Sequence, residues 1–320
     1  MFKIIISLLI ALSVPILVIP IFIKIQKKYK IGQRIRQEGP DLHQHKAGTP
    51  TMGGIVILFS VLISLLIFQP EDKTVYVVFL LFCGFGFVGF LDDFIKYYKG
   101  RSLGLKARSK IAMQLLICFF FFIWYFQNES VTQTVMLPFS QDSLYLPLIL
   151  FIPFVILVFI SSTNAVNLTD GLDGLATGLM IIALISYTII AFFQGQKDLG
   201  TLSLIVIFSC FGFMFYNFHP AKIFLGDVGS LGLGGVLAAI AVITRTELFL
   251  LLIGGVFVIE TLSVIIQVCS IKIKKKPVFK MSPLHHHFEM LQWKEVHIIL
   301  LFWVAGIMFS LIGLIAYSFN

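Results

Sequence analysis

Residues 74–110 read TVYVVFLLFCGFGFVGFLDDFIKYYKGRSLGLKARSK. The stretch opens with an uncharged apolar run over 74–91, then turns at once to Asp92 and Asp93, and six Lys and Arg follow by Lys110. A helix needs about 20 mostly apolar residues to cross the hydrocarbon core. This run therefore predicts a membrane span whose end is marked by two carboxylates and a basic loop. A carboxylate at that depth costs about 2.5–3.5 kcal/mol on insertion scales, so two in a row demand a reason.

Outward from this stretch, nine further segments read the same way: 2–23, 52–68, 111–126, 144–161, 175–193, 201–216, 231–244, 248–270 and 296–318. The expected fold class is an all-α integral membrane protein of about ten helices, one polytopic domain over 1–320. Hydrophobic residues make up 58% of the chain and charged residues 12%. Such a balance excludes disorder, a secreted disulfide scaffold and an ordinary soluble enzyme. The continuous Leu, Ile and Phe runs exclude an outer-membrane barrel, whose strands would alternate. Cys83, Cys118, Cys210 and Cys269 all fall in apolar runs and imply no disulfide framework. The first segment starts at residue 2 without a small-residue cleavage site and reads as a retained helix.

Charge sets the sidedness. Twenty of the 24 Lys and Arg lie in 24–51, 92–110, 162–174, 217–230 and 271–295, leaving Lys3, Lys73, Lys197 and Arg245 for the other face. The positive-inside rule places the first set in the cytoplasm and both termini outside. The net charge of +8 is then a topology signal and implies no nucleic acid. All seven histidines (His43, His45, His219, His285, His286, His287 and His297) fall on the basic face, with Asp92, Asp93, Asp170, Asp173 and Asp227. Any chemistry is expected there.

Six motifs carry it. Adjacent Asp92 and Asp93 point about 100° apart on a helix, which suits a Mg²⁺- or phosphate-handling pair or an interfacial ion pair with Lys96 or Lys99. Residues 162–178, STNAVNLTDGLDGLATG, place Asn164, Asn167, Asp170 and Asp173 every third residue, a polar stripe on one helical face. No Lys or Arg lies in 162–174, so the partner of these carboxylates comes from elsewhere. In FLGDVGSLGLGG, Asp227 stands before a Gly-rich helix as a cap or metal ligand, and the N–H groups of Gly229 and Ser230 are candidates to receive a phosphate. Lys46, in HKAGTPTMGG, reads as a topology charge or a point charge for phosphate. His285, His286 and His287, in SPLHHHFE, lack the spacing of a zinc helix and suit phosphate contact. Glu260, Ser263, Gln267 and Ser270 share one helical face, either a structural polar network or a substrate groove. Five aspartates, three consecutive histidines and a lysine on one membrane face argue for metal-assisted chemistry on a phosphorylated substrate.

HKAGTPTMGG, FLDDFIKYYKG, NAVNLTDGLDGLA, FLGDVGSLGLG and SPLHHHFE, in that order between about residues 30 and 295, resemble the phospho-N-acetylmuramoyl-pentapeptide transferases (translocase I). These are a branch of the polyprenyl-phosphate N-acetylhexosamine-1-phosphate transferase superfamily. The resemblance implies a ten-helix fold with a cytoplasmic cleft in the bacterial cytoplasmic membrane, often as a homodimer. It implies Mg²⁺-dependent transfer of phospho-MurNAc-pentapeptide from UDP-MurNAc-pentapeptide to undecaprenyl phosphate, giving lipid I and UMP for peptidoglycan. Nucleoside inhibitors bind the family.

By motif, the resemblance implies Asp227 as the Mg²⁺ ligand. Asp92 would deprotonate or position the lipid phosphate, supported by Asp93. Asn167, Asp170 and Asp173 would line the nucleotide pocket with Lys46, Thr49, Asn164, Asn217 and Phe224 nearby. His285, His286 and His287 would lie beside the sugar and pyrophosphate, with Gln267 in the same cleft. Two rivals stand: a UDP-GlcNAc or UDP-GalNAc 1-phosphate transferase, and a lipid transporter, which would need polar groups through the membrane depth.

Overall fold

The computed structural model describes residues 2–29, 32, 46–101, 103–128 and 132–320. His43 and His45 lie outside the described residues. The helices are α1 (Phe2–Lys28), α2 (Gly54–Phe68), α3 (Thr74–Tyr98), α4 (Ala107–Phe126), α5 (Leu148–Thr169), α6 (Leu175–Phe193), α7 (Lys197–Asn217), α8 (Gly226–Ile243), α9 (Leu250–Ile253), α10 (Gly255–Lys274), α11 (Leu284–Glu289) and α12 (Glu295–Tyr317). Every one of the ten expected segments is helical. Among the described residues nine helices are long and apolar enough to span a membrane, and α2, at 15 residues, is shorter.

The differences from expectation have local causes. The ninth segment breaks at Gly254 into α9 and α10, because a glycine between two helical runs weakens the ladder. A short antiparallel hairpin, β1 (Thr134–Met136) with β2 (Ser143–Tyr145), lies between α4 and α5. The predicted polar stripe is only half helical: α5 ends at Thr169, so Asn164 and Asn167 ride on it while Asp170 and Asp173 occupy a turn. Gly174 closes that turn with φ +77°, a conformation cheap only for glycine, and starts α6.

Helix α8 is the most deeply buried of the spans. Small residues let its neighbours approach it closely. A Cβ at Gly89 of α3 would collide with the Asp227 carbonyl, and one at Gly54 of α2 would collide with the backbone of Gly229. Gly229 and Ser230 are therefore packed inside the protein and are not offered to a phosphate as expected. Phe85 stacks on Phe159 at 5.6 Å and Phe121 meets Phe159 edge-on at 5.1 Å, locking α3, α4 and α5 together. All four cysteines are free.

Candidate active site

Two polar clusters and one buried pair lie where the helices end. The first is built on the α3–α8 contact. Helix α3 carries Asp92, Asp93 and Lys96 on its last turns, and α8 carries Asp227 on its first. One oxygen from each of the three aspartates lies within 4.8 Å of the others. The Lys96 ammonium stands among them, 2.7 Å from Asp92, 3.2 Å from Asp93 and 3.1 Å from Asp227. Lys110, from α4, adds a second cation 3.0 Å from Asp227 and 3.5 Å from Asp92.

Each carboxylate is also oriented by neutral donors. Asp92 accepts the Leu105 N–H at 2.9 Å, and Asn167 donates to Asp227 at 3.0 Å and to Ser230 at 2.8 Å. Asp92 and Asp93 are nearly buried, and desolvated charges of one sign persist only with counter-charges beside them. The ion pairing expected for Asp92 and Asp93 is thus present with Lys96, and it coexists with the geometry of a cation site. Hard oxygens from three carboxylates suit Mg²⁺, and a lysine ammonium drawn to their focus shows that the cluster concentrates negative charge there.

The second cluster centres on Lys46. Its ammonium donates to Asp173 at 2.7 Å and to Glu295, at the start of α12, at 2.6 Å. Glu295 also accepts the Asp173 N–H at 2.9 Å. His219 approaches Asp173 at 3.2 Å and Glu295 at 3.4 Å, and Ala221 N–H donates to Asp173 at 2.9 Å. Burial raises the Asp173 carboxyl, but the bonds from Lys46, Ala221 and His219 outweigh it and hold the group below its ordinary value. Asp170 lies between the clusters. Burial, backed by the charges of Asp227, Asp93 and Asp173, pushes its carboxyl up to about 8.

The third group lies between α10 and α11. Glu260 meets His285 there, and Gln267 accepts the N–H groups of Val278 and Phe279, each at 2.9 Å. Ser270 donates to the Lys276 carbonyl at 2.8 Å. These bonds form a polar network along this helical face. His286 bonds Glu289 at 2.6 Å, and His287 accepts the Lys280 N–H at 3.1 Å.

Asp92, Asp93, Asn167, Asp170 and Asp227 come together as the sequence suggests, as do Lys46 and Asp173. Thr49 N–H donates to the Lys46 carbonyl at 3.2 Å, and Phe224 is partly exposed beside Asp227. Three further candidates carry structural bonds. Asn164 bonds Gln114 and the Ile160 carbonyl. Asn217 closes the 217–223 turn through the Ile223 carbonyl and accepts from Thr177. Gln267 is the anchor just described. Missing from the expected site were Lys110, His219 and Glu295. No pattern within a loop marks them, although an intramembrane-edge carboxylate such as Asp173 required a cation from elsewhere. An apolar groove of about 170 Å³ lies between α5, α8, α9 and α10, lined by Ala165, Val166, Leu237, Leu250, Phe257 and Val258 among others.

Comparison with known proteins gives the family. A family model described as glycosyl transferase family 4 matches residues 75–245. A signature described as phospho-N-acetylmuramoyl-pentapeptide-transferase signature 1 matches residues 46–58. Relatives bearing that same transferase name are similar over nearly their whole length. That of Anoxybacillus flavithermus is 46% identical over 308 residues, 95% of this chain and 94% of its own. Those of Geobacillus kaustophilus and Staphylococcus saprophyticus are each 44% identical, over 97% and 96% of this chain and 97% of their own.

Proposed function

The chain belongs to the phospho-N-acetylmuramoyl-pentapeptide-transferase family, and from that premise we propose that it makes lipid I and UMP from UDP-MurNAc-pentapeptide and undecaprenyl phosphate. It is a multi-pass membrane protein. The observation that carries the assignment to this site is the convergence of Asp92, Asp93 and Asp227 on one point with Lys96 and Lys110 beside it. The strong Lys and Arg bias supports a cytoplasmic active face in the bacterial cytoplasmic membrane.

The reaction joins two phosphates. An oxygen of the lipid phosphate attacks the sugar-bearing phosphorus of the UDP substrate, and the bond from that phosphorus to the bridging oxygen of UMP breaks. Both partners are anionic, so their approach is repulsive. Lys96 and Lys110 offset that charge, and fixed charges of this kind are most effective in a partly dry cleft. Asp92, fixed by the Leu105 N–H, takes a proton from the lipid phosphate or orients it, with Asp93 in support. Asp227, with Asp92 and Asp93 at its side, would hold Mg²⁺. Bound there, the ion supplies neutralisation of the reacting phosphates and of the departing UMP. Asp170, Asp173 and Lys46 line the nucleotide side. The apolar groove between α5 and α10 suits the chain of a polyprenyl substrate whose phosphate cannot leave the membrane plane. Transfer is direct, without a phospho-aspartyl intermediate; a phosphorylated protein trapped with the UDP substrate alone would overturn that step.

The deciding experiment measures UMP release by the detergent-solubilised protein given undecaprenyl phosphate and Mg²⁺, with UDP-MurNAc-pentapeptide in one reaction and UDP-GlcNAc in another. Release from the muramoyl substrate alone, abolished by Asp227→Ala, is the expected result. Release from UDP-GlcNAc instead would keep the chemistry and change the substrate. Release from neither would overturn the transferase reading.

A further inference from the structure

Glu260 is a fully buried carboxylate on the spanning helix α10, and no lysine or arginine pairs with it among the described residues. Three N–H groups satisfy it instead. Leu284 N–H donates to Oε2 at 2.9 Å, His285 N–H donates to Oε1 at 3.2 Å, and the His285 ring meets Oε2 through Nδ1 at 3.1 Å. The first two are unpaired donors at the start of α11, whose N-cap, Pro283, supplies no side-chain bond. The third fixes the imidazole. Both carboxylate oxygens already accept a backbone N–H, an arrangement suited to the ionised form, and an ionised Glu260 can only accept from Nδ1.

The other ring nitrogen, Nε2, is buried and has no hydrogen-bond partner among the described residues. It faces Gly171. A Cβ built on Gly171 would collide with His285 Nε2, and its three nearest atoms all belong to that ring. Gly171 does not adopt positive φ, so its backbone tolerates a side chain, and the imidazole is what excludes one. The Gly171 hydrogen that replaces the Cβ points at Nε2. A second hydrogen on Nε2 would clash with it, whereas a lone pair receives it as a weak C–H contact.

We propose that Glu260 and His285 are positioning residues. Glu260 holds His285 as the neutral Nδ1–H tautomer, and the ring seats the Asp170–Asp173 turn through Gly171. His285 then acts through the turn and not as a ligand of the sugar or pyrophosphate. The kinetic part rests on the transferase reading above; the tautomer does not.

The test labels histidine ring nitrogens with ¹⁵N in the solubilised protein and assigns His285 by its loss in His285→Asn. Wild type is expected to show Nδ1–H. In Glu260→Leu, which removes the acceptor that Nδ1–H meets, nothing holds the proton on Nδ1 and the Nδ1–H signal is expected to fall. His285→Asn and Gly171→Ala are each expected to lower kcat/KM by between about 10- and 10²-fold, chiefly through KM for the UDP substrate. The double variant is expected to be no worse than Gly171→Ala alone, since the clash is gone. Wild-type Nε2–H, an unchanged spectrum in Glu260→Leu, or additive losses in the double variant would each overturn the proposal. Should Glu260→Leu not fold, the wild-type spectrum and the double-variant cycle still decide. Should wild type release no UMP, the same cycle is read in thermal midpoints.

Discussion

The Lys96 ammonium lies 3.1 Å from the Asp227 carboxylate across the α3–α8 contact, and the same nitrogen touches Asp92 and Asp93. A lysine so placed shares its ground with any cation the three carboxylates attract. Lys96→Met is expected to lower kcat by about 10²–10³-fold, the scale for removing one fixed charge from developing phosphoryl charge. It is also expected to make the thermal midpoint depend more steeply on Mg²⁺, because the ion then bears the whole counter-charge. Thermal scans across a Mg²⁺ series, beside UMP release, check both.

Gly89 leaves room for the Asp227 carbonyl. Gly89→Ala is expected to push α3 off α8, costing about 1–3 kcal/mol as overpacking does, and to reduce turnover because Asp92 and Asp93 move with α3. Gly84→Ala is the control. It sits on the same helix and its Cβ would meet only the flexible Ile117 side chain at 3.4 Å. Equal losses in the two variants would show that the α3–α8 approach is not what matters.

Lys46 is shared by Asp173 and Glu295. Lys46→Met strands two carboxylates and is expected to destabilise by about 3–5 kcal/mol, the scale for breaking a buried pair from one side. Glu295→Gln leaves Lys46 with Asp173 and is expected to cost clearly less. The order of the two thermal midpoints is the readout.

Glu247 supplies a pH prediction away from the site. Neither carboxylate oxygen has a hydrogen-bond partner among the described residues. Burial, opposed in part by Arg245, pushes its carboxyl up from 4.5 to about 8. A carboxyl raised in the folded state contributes stability that is complete below 4.5 and is lost as pH rises toward 8. Glu247→Gln is therefore expected to gain on wild type in thermal midpoint between pH 5 and 8, with UMP release unchanged. A constant difference across that range would refute the assignment.

The sequence makes the helices legible because bilayer thickness dictates length and apolarity, two properties read locally. It makes Asp92, Asp93, Asp170, Asp173 and Asp227 legible because a carboxylate at the membrane edge needs a reason to be there. It does not pair them. Lys110, His219 and Glu295 resemble ordinary loop residues, and only packing brings them to Asp227 and Asp173. The repeat from Asn164 to Asp173 misleads because its period is helical, while Gly171 and Gly174 end the helix midway. The loop-anchoring bonds of Gln267 and Asn217 are not legible either, because an amide that anchors a loop and an amide that binds a ligand look alike in sequence.

The Lys46–Glu295 bond joins residues 249 positions apart. At about 5–20 residues per second of synthesis, Lys46 emerges roughly 12–50 s before its second carboxylate does. During that interval the nucleotide side of the cleft is unfinished, whatever the earlier helices have achieved in the bilayer. Helix α12 is thus the one that completes the site, and a ribosome stalled just short of it leaves an inserted bundle with its keystone charge missing.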